Sequence, residues 1–200
     1  MRIANCFAAV FLFCLSLSAA VADRIAVVVD KAVITESEVL LEVRLTQFLN
    51  HQPLDLSAEQ RRAAAERLVD QQLIRNEARI GNYPKPTAAE VDTIAGKFRD
   101  EHYSSPTQFQ QDLEKYGITE EELREHLAWQ VAAIRFTDVR FQPGTAAPPE
   151  QAANRYQAGA EPASNGTPAA KTETVDQQMD AWLKETRGQT RIQFKKEAFQ

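Results

Sequence analysis

Residues 24–49 read RIAVVVDKAVITESEVLLEVRLTQFL. The stretch opens with β-branched residues at period two, with Ile25, Val27 and Val29 on one side and Ala26 and Val28 on the other, the pattern of a strand. Asp30-Lys31 turns the chain, and Val33-Ile34 pairs back as a short second strand. Thr35-Glu36-Ser37-Glu38 then has the form of a capping box, and Ile34 and Val39 flank it as a hydrophobic staple, so a helix starts here. A strand pair at the head of an otherwise helical chain leaves an open edge that needs a partner. The other strand-like run is Thr190–Lys195, where Ile192 and Phe194 alternate with polar residues. The pattern predicts that the two ends of the chain meet and that the helices are built around that meeting. The fold class is mainly α: a multi-helix domain with a small β-sheet joining the N-terminal strands to the C-terminal strand.

Outward from this stretch, residues 1–22 have the features of a secretory leader. Arg2 supplies positive charge, Phe7 to Leu17 is a short apolar core, and Ala20-Val21-Ala22 is a small-x-small cleavage site. The apolar run is short for a membrane span. Both cysteines, Cys6 and Cys14, lie inside the leader, so the exported chain is expected to begin near Asp23 without disulfides or thiol chemistry. Removing Arg2 takes the formal charge from −5 to −6, which argues against a large basic surface for nucleic acid.

Helical patterning fills residues 23–141. Ser57 and Gln60 form a capping-box pair for a helix that runs to about Ile80, with Gly81 as its stop. Ala65, Val69, Leu73 and Ile80 make its apolar stripe. Arg61, Arg62, Glu66, Arg67, Arg75 and Glu77 read as a solvated face. Thr87–Glu90 caps the next helix, with Val91, Ile94, Ala95 and Phe98 at i, i+3, i+4 and i+7. Ser105-Pro106 starts another, lined by Phe109, Leu113 and Tyr116 and ended by Gly117. Thr119–Glu122 opens a long helix, with Ile118 and Leu123 as a second staple. Its main stripe is Leu123, Leu127, Val131 and Ile134, with Trp129, Ala133 and Phe136 beside it, so it needs more than one partner.

Residues 142–174 break the pattern with five prolines and three glycines and read as a flexible Pro/Ala-rich linker, roughly 30 Å across as a coil. They include the sequon Asn165-Gly166-Thr167. Residues 175–200 resume with a helix carrying Val175, Met179, Trp182 and Leu183, stopped at Gly188, and then the final strand. A lone helix of this length is marginal in water, so Trp182, Ile192 and Phe194 are expected to dock on the helical body.

The chain carries no metal-binding spacing, nucleophile elbow or phosphate loop. His51, His102 and His126 are scattered in sequence, and no cofactor is expected. The Glu120–Glu122 run suits a helix N-terminus. Phe109, Tyr116, Trp129 and Phe136 remain as candidates for binding apolar peptide, against their default use as core.

Three segments together resemble the SurA N-terminal domain family of periplasmic chaperones: RIAVVVDKAVITESEV (24–39), RLVDQQLIRNEARIGNYPKPTAAEVD (67–92) and FQQDLEKYGITEEELREHL (109–127). The carriers are the strand–turn–strand–helix opening, Leu73-Ile74-x-x-x-Ala78, and Gly117-Ile118-Thr119-x-x-x-Leu123-Arg124. The resemblance spans Asp23 to about Phe141, and again Val175 to Phe199, where AWLKETRGQTRIQFKKEAF (181–199) is similar to the family's C-terminal helix and strand. It implies that the C-terminal segment folds back to complete the N-terminal domain. It also implies periplasmic binding of unfolded outer-membrane β-barrel proteins without ATP. The parvulin-type prolyl isomerase domains usual between these segments are missing here, so that activity is not implied and no enzyme is expected. An exported adaptor with one dedicated partner, or an accessory related to the isomerases, are the other readings.

Overall fold

The computed structural model describes residues 23–81, 83–141 and 174–200. The expected leader, the sequon and all but the last residue of the expected linker lie outside these residues. Strands β1 (Ile25–Val29) and β2 (Ala32–Thr35) form a hairpin. Helices α1 (Glu36–Leu49), α2 (Ala58–Ile80), α3 (Ala88–His102), α4 (Pro106–Tyr116) and α5 (Glu120–Phe141) follow. The C-terminal segment supplies α6 (Val175–Gln189), β3 (Ile192–Phe194) and a 3-10 turn, Lys196–Phe199. The fold is mainly α with one small antiparallel sheet of order β2-β1-β3.

The two ends of the chain meet. β3 pairs antiparallel with β1, placing Val27 opposite Phe194 and Val29 opposite Ile192. The hairpin turn helps to hold them. Asp30 has a left-handed φ of 52°. Its backbone N–H donates to the Arg191 carbonyl at 2.9 Å, and its carboxylate accepts from the Arg191 N–H at 3.0 Å. One detail departs from simple alternation. The β1–β2 register slips between Ile25 and Val27, a bulge that buries Ala26 together with Val27 and leaves Ile25 43% exposed.

Each expected cap forms, with local corrections. Thr35/Glu38, Thr87/Glu90 and Thr174/Gln177 are reciprocal capping boxes. Ser57 accepts from the Gln60 N–H, but its own N–H goes to the Asp55 carboxylate at 2.9 Å, so the return half of that box comes from the loop. Gly117 ends α4 at φ +63°, where only glycine is free of strain. Gly81 ends α2 in extended backbone, where a Cβ would overlap the Tyr83 ring. α6 runs through Gly188 and stops at Thr190, whose hydroxyl donates to the Thr186 carbonyl at 2.7 Å.

Two cores lie on either side of α1. One joins the sheet to α1 and α2 through Val27, Val29, Ile34, Val39, Val43, Ala64, Ala65, Val69 and Leu73, closed by Ala198. The other joins α1 to α3, α4 and α5 and is aromatic. Phe48 stands at its centre, with ring centroids 5.6 Å from Phe98, 6.2 Å from Tyr103, 6.2 Å from Phe109 and 5.5 Å from Tyr116. Both staples close as expected: Ile34 with Val39 are buried in the first core, Ile118 with Leu123 in the second. Ile80 departs from the expected α2 stripe; it lies two turns beyond Leu73, the last buried position of that stripe, and is 82% exposed.

Candidate functional site

The charged face of α2 is only in part solvated: Arg62 and Arg75 stay exposed as expected, while Arg61, Glu66, Arg67 and Glu77 are half-buried against other elements. Arg61 donates to the Ala198 carbonyl at 3.0 Å, and Arg62 lies 3.6 Å over the Phe194 ring. Arg67 donates to Glu42 at 3.0 Å, Arg75 lies 4.6 Å over Trp129, and Glu77 accepts from Arg140 at 2.7 Å. Glu66 and Asp70 hold Arg187 of α6 at 2.8 and 2.6 Å, and the Glu66 carbonyl accepts a third bond from it at 2.9 Å. These bonds raise the Arg187 pKa further above its ordinary value, Asp70 contributing most. The guanidinium groups at these positions serve partly as carboxylate partners and partly as flat cations on aromatic rings, two uses that lysine serves less well.

Between α1, α2 and α5 lies a buried polar cluster. Glu42 is 5% exposed. Besides Arg67 it accepts from Gln71 at 3.4 Å and from Thr46 at 3.4 Å, and His126 Nδ1 is 3.6 Å away. Gln130 Nε2 stands 3.1 Å from His126 Nε2; as the amide donor it places the ring proton on Nδ1, facing Glu42. Burial pushes the His126 pKa down, with Arg67 and Arg75 adding to the depression and Glu42 opposing it. The imidazole is therefore neutral at neutral pH.

The four residues singled out as a peptide-binding stripe fall in different places. Phe109 and Tyr116 belong to the buried aromatic core, and the Tyr116 hydroxyl donates to the Gln52 carbonyl at 2.6 Å. Phe136 is 1% exposed, packed under Tyr83 at 4.8 Å and Trp182 at 5.4 Å. Trp129 is half-buried beneath Arg75. The stripe is therefore divided between two sides of α5, one toward α3 and α4 and one toward α2 and α6, and does not form one open surface.

Trp182, Ile192 and Phe194 are brought to the helical body, as the amphipathic spacing of α6 and the alternation of β3 imply. All three are half-buried rather than enclosed, and no residue of α6 is fully buried. Trp182 lies against Phe136 on one side and under Arg140, whose guanidinium is 5.2 Å from its ring. Arg140 is held in that position by Glu77.

Elsewhere, Arg135 of α5 donates to Glu90 at 2.7 Å and to the Lys85 carbonyl at 2.8 Å, tying the α2–α3 connection to α5. The Thr87 N–H, followed by Arg135, holds the Glu90 pKa down to about 2. A shallow cavity of about 280 Å³ between α3, α4 and α5 is floored by Ala95, Gly96 and Phe109 and rimmed by Asp92, Glu120 and Arg124, which bond one another across it. His51 and His102, far apart in sequence, pack with tilted rings 4.7 Å apart beside Phe98. Among the described residues no three His, Cys, Asp or Glu side chains converge as metal ligands, and no helix is long and apolar enough to cross a membrane.

The residues that sequence patterning missed are the cations and their partners: Arg75, Arg140, Arg187, Glu42 and His126. Their spacing alone carried no signal, since a charged residue on a helix has the same periodicity whether it meets water, a carboxylate or a ring. No protein-family model and no curated protein matches the chain.

Proposed function

We propose that this protein is an ATP-independent periplasmic holdase that binds unfolded outer-membrane β-barrel proteins, a SurA-type chaperone module without prolyl isomerase activity. The observation supporting this reading is the closure of the N-terminal hairpin by β3, joining residues 27–29 to 192–194. The SurA resemblance implies that closure, and it makes the module complete without a parvulin domain between its two segments. The physical task suits such a module: an unfolded barrel strand alternates apolar and polar residues and cannot bury its apolar side until it reaches lipid. Ordering a flexible client opposes the contact energy, so affinity in the micromolar range is expected, roughly 8 kcal/mol of binding.

A second reading, an exported adaptor with one dedicated partner, is favoured by a specific observation. Phe109, Tyr116 and Phe136 are consumed by the interior, which leaves less apolar surface for broad client binding. One experiment separates the two. The purified protein is mixed without ATP with two unrelated outer-membrane porins diluted from denaturant, and light scattering is followed. Suppression of scattering for both, at a few-fold excess, supports the holdase. Absence of protection against either leaves the adaptor reading ahead. Acceleration of cis–trans exchange in a proline peptide, retained after repurification, would overturn the exclusion of isomerase activity.

A further inference from the structure

We infer that β2 is an interaction edge through which two copies of this chain pair, antiparallel about a two-fold axis at Val33. The inference is independent of the holdase reading and holds equally for an adaptor. Three observations carry it.

The ladder fixes which backbone groups are left over. On the β3 side, the Asp30 N–H donates to the Arg191 carbonyl at 2.9 Å and the Lys195 N–H to the Ala26 carbonyl at 2.8 Å. Backbone groups alternate sides along a strand, so Ala26, Val28 and Asp30 address β3 while Val27 and Val29 address β2. Their partners on β2 are Ile34 and Ala32. The N–H and carbonyl of Val33, between those two, therefore point away from β1 and out of the edge of the sheet.

The same residue carries an exposed apolar side chain. Val33 lies opposite Val28, on the face of the sheet away from the buried Val27 and Val29, and is 46% exposed. Natural sheets protect such edges with charges or prolines in the edge strand. The β3 edge follows that rule: Arg191, Lys195 and Lys196 flank it, and Arg62 lies 3.6 Å over the Phe194 ring. Two copies of β3 would set cations against cations. β2 reads Ala-Val-Ile-Thr and has no such barrier.

The charges around β2 select a second copy as the occupant. Pairing centred on Val33 sets Ala32 opposite Ile34, and Lys31 opposite Thr35, of the other copy, so facing residues share a side of the sheet. Lys31 is exposed and makes no ion pair among the described residues. Thr35 is where carboxylates gather. Glu38 accepts from its N–H at 2.7 Å and its hydroxyl at 3.1 Å, and Asp23 accepts from the N–H and hydroxyl of Ser37 close by. Two-fold symmetry makes this lysine-to-carboxylate approach twice. A four-residue edge buries far less than the roughly 1,000 Å² of a stable interface, so the dimer is transient and depends on concentration.

The test traps the pair at its axis. In the full chain with Cys6→Ser and Cys14→Ser, a single cysteine is placed at Val33→Cys or, as the control on the same face at the far side of the sheet, at Gln193→Cys. A hydrogen-bonded antiparallel pair holds its Cα atoms about 5.5 Å apart, within the reach of a disulfide. Under a mild oxidant Val33→Cys is expected to form the linked dimer several-fold faster than Gln193→Cys. Adding Lys31→Glu should slow that linking several-fold while leaving the melting temperature of the monomer unchanged. The weight-average mass of the unmodified protein, from sedimentation, should rise with concentration and stop rising in the Lys31→Glu variant. Linking no faster at Val33→Cys than at Gln193→Cys, or a rate indifferent to Lys31→Glu, would overturn the inference. A Val33→Cys protein that stays monomeric but forms a mixed disulfide with a cysteine-bearing unfolded porin assigns the edge to a foreign strand and also overturns it. The unmodified protein sedimenting as a monomer up to its solubility limit decides against it without any substitution.

Discussion

The aromatic core around Phe48 and the docking of α6 around Trp182 use the same residue types to different effect. Phe48, Phe98, Phe109 and Tyr116 are enclosed by α1, α3, α4 and α5, and their contribution is area removed from water. A buried ring of this size contributes about 2–3 kcal/mol by transfer alone. Trp182 keeps part of its surface in solvent and is held by one ring and one guanidinium, the latter worth about 0.5–1 kcal/mol at an exposed site. Against this stands the backbone entropy of ordering a helix, about 1–2 kcal/mol per residue. The comparison teaches that α1 and α3–α5 share an enclosed core, whereas α6 docks through half-buried contacts alone.

The largest expected effect lies in the enclosed region. Phe98→Ala removes a ring packed on Phe48 and should lower unfolding stability by about 3–5 kcal/mol, read from the denaturant midpoint at unchanged slope. Trp182→Ala should lower it by only about 1–2 kcal/mol, since the ring is half exposed and its neighbours stay supported. Equal losses for the two variants would break the comparison and place α6 in the core.

A smaller effect sharpens it. His126, in the seam between the two cores, is buried and neutral, with its pKa below the ordinary value. Its unfolded form takes up a proton near pH 6.5, so its contribution is fully present above that pH and is lost as pH falls toward the folded pKa. The slope is at most about 1.4 kcal/mol per pH unit for one group. Melting temperature should therefore fall between pH 7 and pH 5.5, and His126→Gln should flatten that dependence. His51 has the same sign, from partial burial and then the neighbouring His102, but its exposure makes its share smaller. A melting temperature that rises on acidification over this interval would contradict the assignment of a neutral His126.

Much of the fold was legible because period and capping are local properties. The hairpin, the capping boxes at Thr35 and Thr87, the α3 stripe ending at Phe98, and Pro106 and Gly117 at the two ends of α4 follow from short-range rules. The meeting of the termini was legible because an unpaired strand edge demands a partner and Ile192–Phe194 alternates. The site was less legible. An arginine on a helix face has the same spacing whether it meets water, a carboxylate or a ring, so Arg61 and Arg67 looked solvated until the elements were packed. The aromatic stripe failed as a surface for a related reason. Phe109 and Tyr116 belong to a different helix from Trp129 and Phe136, and periodicity within a helix does not say which side another helix will cover. The slip between Ile25 and Val27 could not be read either, since a bulge leaves the sequence alternation intact.

The C-terminal segment is graded, paired in the sheet at β3 and without a fully buried residue in α6, and native-state amide hydrogen exchange in low denaturant measures that gradient directly. The expected result is that amides of Val27, Val29 and residues 192–194 exchange only with global unfolding, together with those of α3 and α5. Amides in the second turn of α6, residues 179–183, should exchange several kcal/mol more easily through local opening. If α6 is as protected as α5, or if residues 192–194 exchange freely while α5 remains protected, the account is wrong.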